Sequence, residues 1–456
     1  MASSSSPFVI PARLVETIPS LPGLPLLGNL LDFRKDRLAL QDRAQRLGPI
    51  ARMSLVHIPV YTITDADLAH QVLVTEADAF KKSAGLKFME PLLGNGLLTS
   101  ELDVHKRHRK LLAPAFAPKR TATYGTVMVE ETLAQLRGWQ PGAQIDLAKE
   151  MMEMTLAIAG RTLFNADVRG DARVVAEALE MAMRAQLANI TSPIQLGYEW
   201  PLPRHRRMRK AVAMLDEIVY RMIADGRRLG TDRGDVLSML LLARDEQDGT
   251  GFTDKQVRDE VMTLLLAGHE TTANALTWTW YELGRHPAAL ARIEQELAEV
   301  VGDRTVTVDD LPALPWLLAT IEEAMRLHPP AYMTGRQALR DVEIGGHAIP
   351  ERSTLMIYIR GIHRRGDYFP SPLAFKPERM LPDAKKARPR HHYMPFGAGP
   401  RVCIGAHFAL MVAQLCLASM VQRAKLRPLA THVTPEPLVT LRPRGGLPTQ
   451  VDVVRA

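Results

Sequence analysis

The chain has 456 residues, 46% hydrophobic and 23% charged, a balance that excludes a disordered or fibrous protein and leaves ample apolar material for a core. Its formal charge of +7 comes without long arginine or lysine tracts, so nucleic-acid binding is not expected. Two cysteines, Cys403 and Cys416, cannot build a disulfide framework and point to a reducing, cytoplasmic setting. No Gly/Ser linker, repeat or composition break divides the chain, which reads as one domain over residues 21–456 behind a flexible N-terminal segment, residues 1–20.

In chain order, residues 1–25 carry a serine run and scattered prolines, with no apolar stretch long enough for a membrane anchor. Alternation over residues 50–55 and 60–64, around Ile58-Pro59, predicts a strand pair. Residues 88–98 are apolar but contain Gly94 and Gly96, more like a loop than a helix. The run from His105 to Lys110 leads into Leu111, Leu112 and Phe116, an amphipathic helix with a basic face on which His105 and Arg109 lie four apart. Residues 126–245 read as mostly helical with a break at 191–203. Basic clusters at 204–210 and 385–392 read as solvated surface, because no aromatic residues interleave with the charges.

Thr253, whose spacing to Gln256 makes a capping box, opens a helix of roughly 50 Å that Pro287 stops. In its middle lies Ala267-Gly268-His269-Glu270-Thr271-Thr272. Gly268 costs about 1 kcal/mol relative to Ala there, and Thr271 can bond back to the Ala267 carbonyl. Gly268 is expected to open the helix to a water. Such a weak point suggests function rather than packing alone. Further on, Glu323 and Arg326 can pair at i, i+3 before His328-Pro329-Pro330, and Pro377-Glu378-Arg379 follows. Residues 342–349, with Gly345-Gly346, and 354–359 read as strands, and a final hairpin is expected from 438–441 and 449–454 around Gly445-Gly446.

One decapeptide, Phe396-Gly397-Ala398-Gly399-Pro400-Arg401-Val402-Cys403-Ile404-Gly405, stands immediately before a long apolar helical segment. Its glycines allow close backbone approach, and the helix start is expected to favour a Cys403 thiolate suited to a metal. Cys416, among Leu415, Leu417 and Ala418, reads as core. The pattern F-G-x-G-x-R-x-C-x-G resembles the haem-binding loop of the cytochrome P450 family. Ala267 to Thr272 resembles that family's A-G-x-[DE]-T-[TS] element, Glu323-x-x-Arg326 and Pro377-Glu378-Arg379 its E-x-x-R and P-E-R elements, and Leu21-Pro22-Gly23-Leu24-Pro25 its proline-rich hinge. These motifs fall in the family's order over nearly the whole chain.

The resemblance implies a mainly α cytochrome P450 fold, an α-helical haem domain with small β-sheets. It implies haem b (iron protoporphyrin IX) with Cys403 as the axial metal ligand, and cofactor contacts from His105, Arg109, Ala267, Arg336, Phe396, Arg401 and Gly405. Glu270 and Thr271 would be the catalytic acid and alcohol that deliver protons, and Glu323, Arg326 and Arg379 a structural cluster. Phe88, Leu92, Leu93, Ala267, Tyr332 and Met333 are candidates for the substrate pocket, with plain core packing the alternative for Phe88, Leu92 and Leu93. The 191–203 break would be a lid whose apolar underside comes from Ile194, Leu196, Tyr198 and Trp200. The implied reaction inserts one oxygen atom from O2 into a hydrophobic small molecule by hydroxylation or epoxidation. Electrons would come from NAD(P)H through a separate ferredoxin or flavodoxin with its reductase, docking on Lys106, Arg107 and Lys110 of a monomeric, soluble enzyme. A haem-thiolate peroxygenase or isomerase would not need the Glu270-Thr271 pair, and a non-enzymatic haem sensor would need neither the pair nor a redox partner.

Overall fold

Caps and prolines cut the chain into its elements. The computed structural model describes residues 18–56, 58–192, 196–244 and 249–455. The helices that build the site are α1 (Arg37–Leu47), α2 (Leu102–Leu112), α3 (Leu147–Phe164), α4 (Ala172–Ile190), α5 (Pro203–Leu229), α6 (Asp254–Arg285), α7 (Pro315–Leu327) and α8 (Ala406–Arg423). The capping box forms at α6: the Gln256 N–H donates to Thr253 Oγ1, and the Gln256 side chain accepts from the Thr253 N–H. His286 ends the helix and Pro287 begins the next. Its 32 residues make it about 48 Å long, and it is buried on nearly every side, its buried acids Asp259, Glu260, Glu270 and Glu282 each hydrogen-bonded to another element. The turn containing Gly268 runs against α3, where Thr155 Oγ1 donates to the His269 carbonyl at 3.1 Å. Pro114 ends α2 earlier than the run to Phe116 suggested, leaving a 3-10 turn over Ala113–Phe116.

The strands β1 (Ile50–Leu55) and β2 (Ile58–Ile63) pair antiparallel from Ile50 with Ile63 to Leu55 with Ile58. They extend into a sheet with β3 (Phe80–Lys82), β5 (Thr334–Ala338) and β8 (Thr354–Ile357), in the order β1-β2-β8-β5-β3, where β4 is Gln144–Asp146. A tight hairpin of β6 (Val342–Ile344) and β7 (His347–Ile349) turns on Gly345 and Gly346, both at positive φ. After Ile357 the chain leaves the sheet and makes a helical turn, Ile359–Ile362, where a continued strand was expected.

The expected C-terminal hairpin does not form. Instead β10 (Pro435–Pro437) pairs with β11 (Leu441–Pro443), while β12 (Pro448–Val454) lies between β4 and β9 (Ala424–Pro428). Gly445 and Gly446, at φ near +80°, carry the chain from one sheet to the other. Most of the N-terminal segment, residues 1–20, lies outside the described residues; where description begins, Ser20 bridges to Arg52 and Leu21 N–H donates to the Arg52 carbonyl. Among the described residues no helix is long and apolar enough to cross a membrane.

Candidate active site

The decapeptide folds back on itself ahead of α8. Gly397 and Gly399 sit at φ +73° and +70°, and a Cβ on Gly399 would fall 1.8 Å from the Leu73 carbonyl oxygen, so only glycine fits there. The Cys403 N–H donates to the Phe396 carbonyl at 3.0 Å, which closes the loop. Cys403 opens into a cavity of about 780 Å³ whose lining is mostly apolar, and Phe396, Arg401 and Gly405 share that wall. Protein encloses the thiol on its other sides. Burial pushes its pKa up, with the Gly405 N–H and the Arg109 charge opposing. The expectation that a helix start alone yields a thiolate is therefore corrected: Cys403 lies three residues before α8, and desolvation outweighs the nearby dipoles. A bound metal displaces that proton.

Beside the loop, basic side chains converge on the cavity. Arg109 Nη1 donates to the Val402 carbonyl at 2.8 Å, and Arg401 donates to the Ser100 carbonyl at 2.7 Å and to the Glu101 carboxylate. Arg336 Nη1 binds Thr334 Oγ1 and the Gly335 carbonyl at 3.1 and 3.0 Å. His105, Arg109, Arg336 and Arg401 all line the cavity, joined by Lys82 at the end of β3. Burial and then the Arg401 charge hold Lys82 down to about 7, His105 to about 3 and Arg336 to about 10. Glu101 is the one carboxylate set against these charges in the shifts of Lys82 and Arg336. The cradle is built for anions.

Helix α6 forms the facing wall. Ala267 and Thr271 line the cavity, and Thr271 Oγ1 donates to the Ala267 carbonyl at 2.9 Å. Glu270 turns away from it. Its carboxylate accepts from Thr440 Oγ1 at 2.5 Å; Asn274 Nδ2 reaches the same hydroxyl at 3.2 Å and Trp278 Nε1 the Leu441 carbonyl at 3.0 Å. Glu270, Asn274 and Trp278 thus share one face at four-residue spacing. Burial raises the Glu270 carboxyl to about 6, against the Thr440 hydrogen bond and the Arg442 charge. Gly268 does not break the helix, which runs uninterrupted through Asp254–Arg285; a Cβ there would sit 3.6 Å from Leu163 and 3.9 Å from Ala159, ordinary contact with α3. The expected opening for water is corrected on that ground.

The family model described as Cytochrome P450 matches residues 18–447. The chain belongs to the cytochrome P450 family. It is 37% identical to Cyclooctatin synthase of Streptomyces melanosporofaciens over 423 residues, 92% of each chain. Cyclooctat-9-en-7-ol 5-monooxygenase of the same organism is 34% identical over 94% of this chain and 93% of its own. Pentalenene oxygenase of Streptomyces avermitilis is 31% identical over 92% of each. Membership implies haem and O2-dependent monooxygenation.

The residues fit haem b. Cys403 offers a thiol at the cavity, and Lys82, Arg109, Arg336 and Arg401 leave positive charge for two propionates. Lys82 gave no signal in the sequence, where Phe80-Lys81-Lys82 looks like any strand end. Because its haem-free pKa lies near 7, against an ordinary 10.5, added anions must raise it, and Lys82 takes up a proton on haem binding. That uptake opposes the proton Cys403 gives up to the metal, so haem affinity is expected to level off above pH 7, whereas in Lys82→Met it should go on rising with pH, by at most tenfold per pH unit for one proton. Titrating the haem-free protein with haem between pH 6.5 and 9 measures this slope. An unchanged slope in Lys82→Met would sink the role.

This cytochrome P450 brings Phe88, Tyr332 and Met333 to the cavity wall but not Leu92 or Leu93. Those two are corrected to core: the helical turn Glu90–Leu93 buries both, and Arg258 Nη1 clamps the Leu92 carbonyl at 2.8 Å. The rest of this roof is held likewise, Asn95 N–H by Asp259 at 2.9 Å and Leu97 N–H by Glu260 at 3.1 Å. Glu260 also accepts from buried His108 at 2.6 Å, so the basic run of α2 turns His108 inward as well as His105 and Arg109. Tyr198, in the break between α4 and α5, donates to the Phe88 carbonyl at 2.8 Å. Ile194 lies outside the described residues, and Trp200, 52% exposed, is no part of an apolar underside. Met183, Leu187 and Ile190 of α4, with Leu438 and Val439, complete the wall without having been foreseen.

Glu323 and Arg326, both fully buried, form a two-pronged pair at 2.8 Å and 2.8 Å, and Arg379 Nε lies 3.2 Å from Glu323. Arg326 also donates to the carbonyls of His363, Pro372 and Ala374, so the pair fastens α7 to the segment leading into the cysteine loop.

Proposed function

We propose that this cytochrome P450 inserts one atom of O2 into an apolar, terpene-type carbon skeleton, using electrons from NAD(P)H passed by a separate ferredoxin or flavodoxin. The observation that carries it is the arrangement on α6: a hydroxyl at Thr271 inside an apolar cavity, and on the preceding residue an acid, Glu270, buried with its pKa raised to about 6. Bound haem supplies oxygen activation. The protein supplies the Cys403 ligand, excludes bulk water with apolar walls, and holds a proton at Glu270 close to physiological pH, where a general acid is most effective. The relatives named for cyclooctatin, cyclooctat-9-en-7-ol and pentalenene support the skeleton class. A cytoplasmic setting accords with two free cysteines.

Haem-loaded protein with NAD(P)H, a surrogate ferredoxin and its reductase, under labelled O2, tests the proposal: the product should carry one labelled oxygen. Oxidation that needs hydrogen peroxide and ignores O2 would mark a peroxygenase instead. Gas binding without product would mark a sensor.

The donor is proposed to dock on α2. Lys106 and Lys110 are exposed there, on the helix that sends His105 and Arg109 to the cavity, and Arg107 donates to Thr250 Oγ1 at 2.8 Å. Electrostatic steering makes encounter rates fall with salt. Reversing both lysines (K106E, K110E) should slow first-electron transfer from an acidic ferredoxin about tenfold at low salt and leave the residual rate flat with ionic strength. Stopped-flow reduction reads this, and a salt-insensitive native rate would remove the docking site.

A further inference from the structure

Arg37 is the first residue of α1, is 9% exposed, and lines the cavity. Neither setting suits a cation. A positive charge at a helix N-terminus opposes the macrodipole, and a guanidinium buried without a carboxylate keeps little of its hydration. Its Nη1 donates to the Tyr332 hydroxyl at 3.2 Å and, weakly, to the Leu438 carbonyl at 3.4 Å, both neutral acceptors. The Phe33 ring lies 5.2 Å from its Cζ. The neighbouring Asp36 is committed to capping the Ala39 N–H. Among the described residues no carboxylate pairs with Arg37, and its Nε–Nη2 edge carries no hydrogen bond.

One turn along α1, Gln41 lines the same cavity. Its Oε1 accepts from Thr62 Oγ1 at 2.8 Å, while its Nε2 is buried without a partner. The Tyr332 hydroxyl spends its proton on the Leu438 carbonyl at 2.9 Å. This stretch of wall thus offers unspent N–H donors and an unneutralised charge in a mostly apolar chamber. It is electrostatically apart from the cradle beside Cys403, whose shifts arise from Arg401, Arg336, Arg109 and Glu101 and not from Arg37.

We propose that the substrate is an apolar carboxylic acid whose carboxylate seats on the open Nε–Nη2 edge of Arg37, with Gln41 Nε2 as a further donor. The hydrocarbon body then lies along the apolar wall toward Ala267 and Thr271. The fork of a guanidinium edge matches two carboxylate oxygens side by side. Apolar walls discriminate poorly between an acid and its alcohol, whereas a buried donor pair left empty by the wrong ligand discriminates strongly. Arg37 is therefore a specificity-determining residue, and this inference rests on the monooxygenase reading above.

Haem-loaded protein is titrated with palmitic acid and 1-hexadecanol, and with abietic acid and abietinol, followed by the haem Soret shift and by calorimetry. In at least one pair the acid should bind tenfold or more tightly than the alcohol. Arg37→Gln should bring the acid down to the alcohol's affinity and leave the alcohol unchanged; Arg37→Lys, which keeps the charge but loses the fork, should reduce the preference severalfold. Equal binding of acid and alcohol, binding of neither acid, or a preference undiminished in both variants overturns the proposal. Failure of the monooxygenase reading looks different: it shows in the reduced carbon monoxide spectrum of the native protein, which needs no substrate, and in the lack of labelled oxygen in an acid that the native protein binds.

Discussion

Cys403→Ala should abolish the strongly red-shifted Soret band of the reduced, carbon monoxide-treated protein and lower NAD(P)H-driven turnover by at least a hundredfold. Cys403 is the cysteine that opens to the cavity, and the loop that presents it is closed by its own N–H on the Phe396 carbonyl, a bond alanine keeps. The fold should survive. Cys416 is the internal control: it is fully buried on α8, its sulfur accepts from Thr132 Oγ1 at 3.2 Å, and burial pushes its thiol up to about 12. Cys416→Ala should cost stability, about 1–2 kcal/mol for a small buried side chain, and leave the band in place. A red-shifted band persisting in Cys403→Ala would overturn the ligand assignment.

Thr271→Ala should keep the thiolate spectrum and substrate affinity while diverting most NAD(P)H electrons to hydrogen peroxide. Its hydroxyl, bonded back to Ala267, stands at the cavity wall, where the proposed reaction would consume protons. Glu270→Gln should slow product formation at least tenfold and enlarge the solvent isotope effect. It should also stabilise the protein. A carboxyl raised from 4.5 to about 6 favours the fold only while protonated, so its contribution is present below pH 4.5 and lost as pH rises through 6; above that the ionised form costs about 2 kcal/mol, which glutamine removes. Faster turnover or lower melting temperature in Glu270→Gln at pH 7.5 would contradict a proton-holding role. Loss of haem from Thr271→Ala with tight coupling in the remainder would make Thr271 a packing residue.

What could be read from the sequence is what depends on near neighbours. The α6 caps, the glycine turns of the cysteine loop, the Glu323–Arg326 pair and the β1–β2 pairing each involve residues a few positions apart, and each appears where its spacing placed it. What escaped depends on distance along the chain. Thr440 meets Glu270 across 170 positions and Glu260 meets His108 across 152, and neither partner is marked in a single sequence. The strand β12 has the alternation of a hairpin arm, but alternation names a face and not a partner, and β4 and β9 claimed it. Leu92 and Leu93 failed for a smaller reason: one helical turn decides which side of a short segment meets the cavity. Cys403 shows the limit of a local dipole argument, since desolvation beside the cavity pushes its pKa up against the Gly405 N–H and the Arg109 charge.

The roof over the cavity is fastened by main-chain atoms. Phe88 and Leu92 are held by their carbonyls and Asn95 and Leu97 by their N–H groups, with the gripping side chains all supplied from elsewhere. Gly94 and Gly96 are fixed by shape, because a Cβ on either would run into Asp259 or Thr263, and Met89, Leu92, Leu93 and Leu97 by burial in the core. The side chain of Phe88, gripped only through its carbonyl and set in the cavity wall, is uncoupled from closure. A lineage can exchange Phe88, and so drift from one hydrophobic molecule to another, without first having to rebuild the catch that holds the roof.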